Sequence, residues 1–125
     1  MKAQKTCTIC IFHTGYDLTG ATGLYRLPLP HNETDIWYRT LRKFRSIIAS
    51  AVANSEKGGS DTYLLLGPIG TGALNNSMEM IASLFAEVLN NPLMNSDGPI
   101  RNAFDHIWFV SDDNLDVFKN TFENY

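Results

Sequence analysis

Three observations predict an α/β fold. Short apolar runs at residues 6–13, 62–66 and 106–110 each fit a strand buried on both faces. Segments with helical spacing follow each of them, and clusters of Gly, Pro, Asn, Ser or Asp punctuate the junctions. The order is strand, long loop, helix, strand, helix, strand, helix. Strands alternating with helices require right-handed crossovers, so a three-layer domain is expected, with a mostly parallel sheet flanked by helices. At 125 residues the chain is long enough for a single domain.

The first run, "TCTICIFH", is β-branched and aromatic-rich. Residues 14–31 carry glycines and prolines with no period, a long loop of the kind that is usually functional. "NETD" offers Asn32 or Thr34 as a helix N-cap. Trp37, Leu41, Phe44, Ile48 and Ala51 then recur at spacings of four and three, the apolar face of a helix. Arg39, Arg42, Lys43 and Arg45 fall largely off that face, as a solvated surface would. Gly58 and Gly59 are the expected helix stop. A second buried strand covers 62–66. Met80, Ile81, Leu84, Phe85 and Val88 mark the next helix, with Asn76 or Ser77 as its cap, and Pro92 breaks it. "HIWFV" is the third strand. "SDDN" caps a last helix that carries Leu115, Phe118 and Phe122.

Composition narrows the function classes. The chain is 44% hydrophobic and 18% charged, which suits a packed core and not a disordered segment. A net charge of −3 argues against general nucleic-acid binding. No apolar stretch reaches bilayer length and the N-terminus lacks a signal-peptide pattern, so a soluble, cytoplasmic protein without membrane contact is expected. Cys7 and Cys10 form a C-x-x-C, but a strand would turn them to opposite faces, too poorly aimed for a disulfide. Zinc would need a further ligand pair nearby, so no metal is expected.

The segment "LLLGPIGTGALNNS" holds the chemistry. An apolar strand runs into Gly67, Pro68, Ile69, Gly70, Thr71 and Gly72, and a helix follows. In a parallel sheet, ligands collect at the carboxyl ends of strands. Glycines let backbone approach a ligand, and successive N–H groups can point at phosphate oxygens, aided by the helix dipole. A structural turn explains three glycines equally well. The motif is not a P-loop, since no Lys-Ser/Thr follows, and its G-x-x-G-x-G spacing differs from the dinucleotide fingerprint.

Together, "YLLLGPIGTGALNNS", "MEMIASLFAEVLNN", "FDHIWFV" and "SDDNLDVFKNTF" resemble the C-terminal part of macrodomains. There, a strand enters a GTG-type loop and a helix, and a final strand leads to an acidic-Asn segment opening the last helix. "TDIWYRTLRKFRSIIASAVANS" is similar to the family's preceding helix and "CTICIFHTG" to the strand before it. "LLLGPIGTGALNN" most resembles the microbial poly(ADP-ribose) glycohydrolase-like branch. The resemblance implies an ADP-ribose-type nucleotide as ligand and no cofactor. Gly70, Thr71, Gly72, Ala73 and Leu74 would wrap its diphosphate and distal ribose, with Gly67, Pro68 and Ile69 leading in and Asn114 near that ribose. Asn75 and Asn76 would contact the ligand or cap the helix. The family also places an adenine-site Asp, a catalytic Asn- and glycine-rich loop and, in glycohydrolases, a Gly-Gly-Gly…Glu-Glu signature ahead of this region. Residues 1–31 do not carry them. The implied domain is therefore macrodomain-like but reduced at its N-terminus, or its missing part is supplied by another chain or was removed. Asp17, in "GYDLTG", is similar to the adenine-site Asp but stands on the wrong side of the helix-and-loop order.

Other catalytic signals are sparse. His13, His31 and His106 have no metal-cluster spacing, although His13 ends a strand at the ligand edge. No nucleophile elbow is present. Asp17, Asp112 and Asp113 are the only candidate acids or bases, and helix capping is the simpler role for the latter two. Three functions stay open: an ADP-ribose-binding module, a hydrolase removing ADP-ribose from a protein or polymer, and a non-catalytic assembly protein. Because a narrow sheet leaves apolar edges exposed, a homodimer or a partner chain is expected.

Overall fold

The computed structural model describes residues 11, 18, 32–55, 61–72, 74–92 and 98–124. The elements run α1 (Glu33–Ala53), β1 (Tyr63–Leu66), α2 (Met78–Asn90), a short 3-10 turn (Ile100–Ala103), β2 (His106–Phe109) and α3 (Asp116–Glu123). The mixed α/β class and the parallel sense of the sheet are as expected. β1 and β2 pair in parallel, from Tyr63 opposite His106 to Leu66 opposite Phe109. The expected first strand (6–13), Cys7 and Cys10, His13 and His31, and most of the loop at 14–31 lie outside the described residues.

Local chemistry decides where each helix begins. Asn32 caps α1, its side chain accepting from the Asp35 N–H at 2.8 Å. Ser77 caps α2 by accepting from the Met80 N–H at 3.2 Å. At its far end α1 stops earlier than the glycine pair suggested. The N–H of Asn54 and its side-chain amide both donate to Ser50 O, at 3.0 and 2.8 Å. An Asn that satisfies the last turn in this way ends the helix without a left-handed residue.

α2 is the centre of the molecule. Ile81, Leu84, Phe85 and Val88 are buried as the spacing predicted, and Ala82, Ala86 and Leu89 are buried as well. The small alanines let neighbours approach on the remaining sides, with α1 against one flank and α3 against the other. Phe85 joins the layers: its ring stacks on Phe44 of α1 at 4.2 Å and meets Phe109 of β2 edge-on at 5.3 Å. On α1, Phe44, Ile48 and Ala51 are buried, while Trp37 and Leu41 pack partly covered against the same core. Thr40 is buried too, and its hydroxyl has no hydrogen-bond partner among the described residues. Ile11 packs against this core from the N-terminal side of the chain.

The strands differ from the expectation of burial on both faces. Leu64, Leu66, Ile107 and Phe109 turn toward the helices. Tyr63, Leu65 and Trp108 turn away and are 55%, 60% and 52% exposed. The described residues thus form two layers, helices on one face of a two-stranded sheet. An unbroken "YLLL" run could not reveal this, because alternation is visible in a sequence only when the outer face is polar.

Candidate functional site

The glycine segment leaves the carboxyl end of β1, where a parallel sheet presents its loops, and closes on itself before α2. The Ile69 N–H donates to Gly67 O at 2.9 Å and the Thr71 N–H to Pro68 O at 3.2 Å. The Thr71 hydroxyl donates to the same Pro68 carbonyl at 2.8 Å. The Asn75 N–H reaches Gly72 O at 3.0 Å and the Asn76 N–H reaches Gly70 O at 2.8 Å. Ile69 is the loop's apolar anchor, 7% exposed within the core.

Two residues take backbone angles that shape the turn. Gly70 has φ of 75° and Asn75 φ of 62°. Glycine adopts this region without a Cβ clash, and Asn is among the few side chains that tolerate it. Gly72 has neither constraint: its φ is not left-handed, and a Cβ there would meet nothing within 4 Å. Gly67 is tighter, since a Cβ would stand 3.6 Å from Val110 O, at ordinary contact distance. That approach also shows that the loops after β1 and β2 begin side by side.

Asn76 was legible only as a possible cap or ligand contact, and its role is different. It is 5% exposed, and its side-chain amide donates to Gly70 O at 3.0 Å beside its own backbone N–H. Asn76 therefore holds both ends of the loop together, and the cap falls to Ser77. Among the described residues, no hydrogen bond uses the N–H groups of Gly70, Gly72 or Leu74. These donors stand outside the loop's internal bonds. Ala73 lies outside the described residues.

The second loop is built from side chains. The Asp113 N–H donates to the Ser111 hydroxyl at 3.1 Å. Asn114 accepts from the Asp116 N–H at 2.8 Å, and its amide donates to the Asp116 carboxylate at 3.1 Å. Asn114 thus organises the start of α3, and neither Asp112 nor Asp113 caps it, contrary to the simpler role expected for them. Both are exposed at the end of β2. An amide has two donor hydrogens and two acceptor lone pairs, and the bonds to Asp116 use one of each.

The loop segment itself carries no cation: residues 61–79 contain no Lys or Arg. Glu79 sits in the first turn of α2, where its carboxylate accepts from the Ser77 hydroxyl at 3.1 Å. That negative charge offsets part of the helix's positive end. An anion here would be held by backbone N–H groups.

Asp17 lies outside the described residues, but Leu18, next to it, donates its N–H to Leu74 O at 2.9 Å. This contact ties Leu18 to the glycine loop, and no sequence signal could have found it. A cavity of about 430 Å³ lies elsewhere, between β2, α2 and α3, walled by Phe109, Phe118 and Phe122 with exposed Arg101 and Lys119. It includes none of the expected ligand residues. No group of His, Cys, Asp or Glu among the described residues could hold a metal ion. No helix among them is long and apolar enough to cross a membrane. Comparison with known protein families, curated proteins and solved structures returned no match.

Proposed function

We propose that the chain binds ADP-ribose or a derivative of it, with the diphosphate held by the backbone of the loop after β1. One observation carries this reading: a closed, Asn-knitted turn at the carboxyl end of a parallel strand, with the N–H groups of Gly70, Gly72 and Leu74 outside its internal bonds. The buried Asn76 fixes this turn by donating to Gly70 O, leaving the N–H groups of three alternate residues outside its bonds. Phosphate oxygens suit such donors, because N–H groups arranged around a concavity bind anions without a side-chain charge.

The resemblance to macrodomains supplies the rest of the ligand. Asn114, beside the loop, offers a free donor and a free acceptor to the distal ribose. Leu18 is bonded to Leu74 of the loop, and Asp17, its neighbour in sequence, lies outside the described residues. A three-layer, macrodomain-like arrangement also requires a further layer over the sheet face that carries Tyr63 and Trp108.

Calorimetric titration tests the proposal. ADP-ribose is expected to bind more tightly than ADP, and ADP more tightly than AMP, which lacks the diphosphate. Equal or absent heats for all three would reject it. A hydrolase would in addition release free ADP-ribose from a modified protein, for which Asp112 and Asp113 are the carboxylates beside the loop.

A further inference from the structure

Among the described residues, five large apolar side chains are exposed: Tyr38, Tyr63, Leu65, Trp108 and Val110. Four of the five stand together. Tyr63 and Leu65 alternate outward along β1, and Trp108 does so on β2, with Val110 continuing the alternation. The register sets Tyr63 opposite His106 and Leu65 opposite Trp108. The rings are in contact: Tyr63 and Trp108 have centroids 5.3 Å apart, and His106 lies 5.1 Å from Tyr63. The result is a continuous aromatic platform with no Asp, Glu, Lys or Arg in either strand.

We infer that this face is the interface of a homodimer, in which a second copy stacks its own platform on the first about a twofold axis. Area supports the assignment. Aromatic side chains carry about 150–250 Å² each, so two half-exposed rings with Leu65 and Val110 present a patch on the order of 400 Å². Two such patches with their rims bury about 1,000 Å², the lower bound of a specific interface and short of an obligate one. Formal charge on the face itself does not oppose the contact: neither strand contains Asp, Glu, Lys or Arg. A symmetric pair needs only one self-complementary surface, which a flat apolar face provides. Stacked sheets lie roughly 10 Å apart, which lets Tyr63 and Trp108 interleave with their counterparts. The second copy thereby becomes the layer missing from the outer face. The glycine loop, at the strand ends, stays open, and the inference stands independently of the ligand.

Sedimentation velocity of the full chain across the micromolar range is the test, paired with the fluorescence of Trp108 in a Trp37→Phe background. A reversible monomer–dimer equilibrium is expected. Leu65→Glu should weaken it at least about tenfold, equivalent to 1.4 kcal/mol, with unchanged circular dichroism. Val110→Lys is the second variant, and the same loss is expected of it. Trp108 emission should shift to the blue in step with dimer formation. A monomer throughout, or a dimer indifferent to both variants, would overturn the inference. So would a Trp108 already shielded from acrylamide in the monomer, because another part of the same chain would then cover the face.

Discussion

Two loops leave the same edge of the sheet side by side, and they are built on opposite plans. The loop from β1 to α2 is knitted by backbone: carbonyls of Gly67, Pro68, Gly70 and Gly72 accept from N–H groups within it, and one buried side chain, Asn76, locks it. The loop from β2 to α3 is knitted by exposed side chains, Ser111 and Asn114, acting on the backbone ahead of them. The first plan orients backbone donors and spends its special backbone angles at Gly70 and Asn75. The second leaves its backbone ordinary and presents carboxylates. Backbone donors suit a phosphate and polar side chains suit hydroxyls, which is how the two loops would divide the proposed ligand between them.

The largest effect is expected at Gly70. Its φ of 75° is strained for any branched side chain, so Gly70→Val should lose ADP-ribose binding and about 1–3 kcal/mol of stability together. Thermal unfolding beside calorimetry reads both. Retained binding would break the contrast, by showing that the turn's angles do not matter to the ligand.

Asn76→Ala comes next. It removes a donor from Gly70 O inside a buried site, for which a loss of about 1–3 kcal/mol is expected. The ligand affinity should fall by at least about tenfold, because the two ends of the loop are no longer held together. Asn114→Ala, by contrast, should cost only about 1 kcal/mol, the value of an ordinary helix-start bond. Ser77→Ala should match it in stability while leaving affinity nearly unchanged, which separates capping from ligand contact. If Asn76→Ala proved as mild as Asn114→Ala, the two loops would be equivalent.

Asp112→Asn and Asp113→Asn should do least. Both carboxylates are exposed beside a loop proposed to hold a diphosphate, so removing either is expected to raise affinity by no more than about fivefold, roughly 1 kcal/mol. Titration at low ionic strength shows it most clearly. A loss of binding would assign the carboxylates to the ligand instead.

How much of this was legible in the sequence depends on whether the signal was local. Asn32 and Ser77 could be read as caps because a cap's partner lies three residues away. The apolar faces of α1 and α2 were visible through their period. The role of Asn76 was not, because the bond to Gly70 O spans a turn whose shape depends on angles at Gly70 and Asn75. The stop of α1 was misplaced because Asn54 satisfies the last turn before the glycines are reached. The outer face of the sheet was hidden for another reason: Tyr63, Leu65 and Trp108 have the composition of buried residues. The bond from Leu18 to Leu74 joins segments far apart in the chain, and only folding brings them together.

The central claim is that bare backbone at residues 70–74 holds the diphosphate, and Gly72 isolates it. Its φ is ordinary and a Cβ there meets nothing within 4 Å, so Gly72→Val can fold normally while adding a branched side chain beside its own backbone N–H. Calorimetric titration of ADP-ribose into the wild-type chain and into Gly72→Val, with thermal unfolding as the control, is the direct measurement. Saturable binding to the wild type and none to an equally stable variant is the predicted result. Unchanged affinity in a folded Gly72→Val would contradict it.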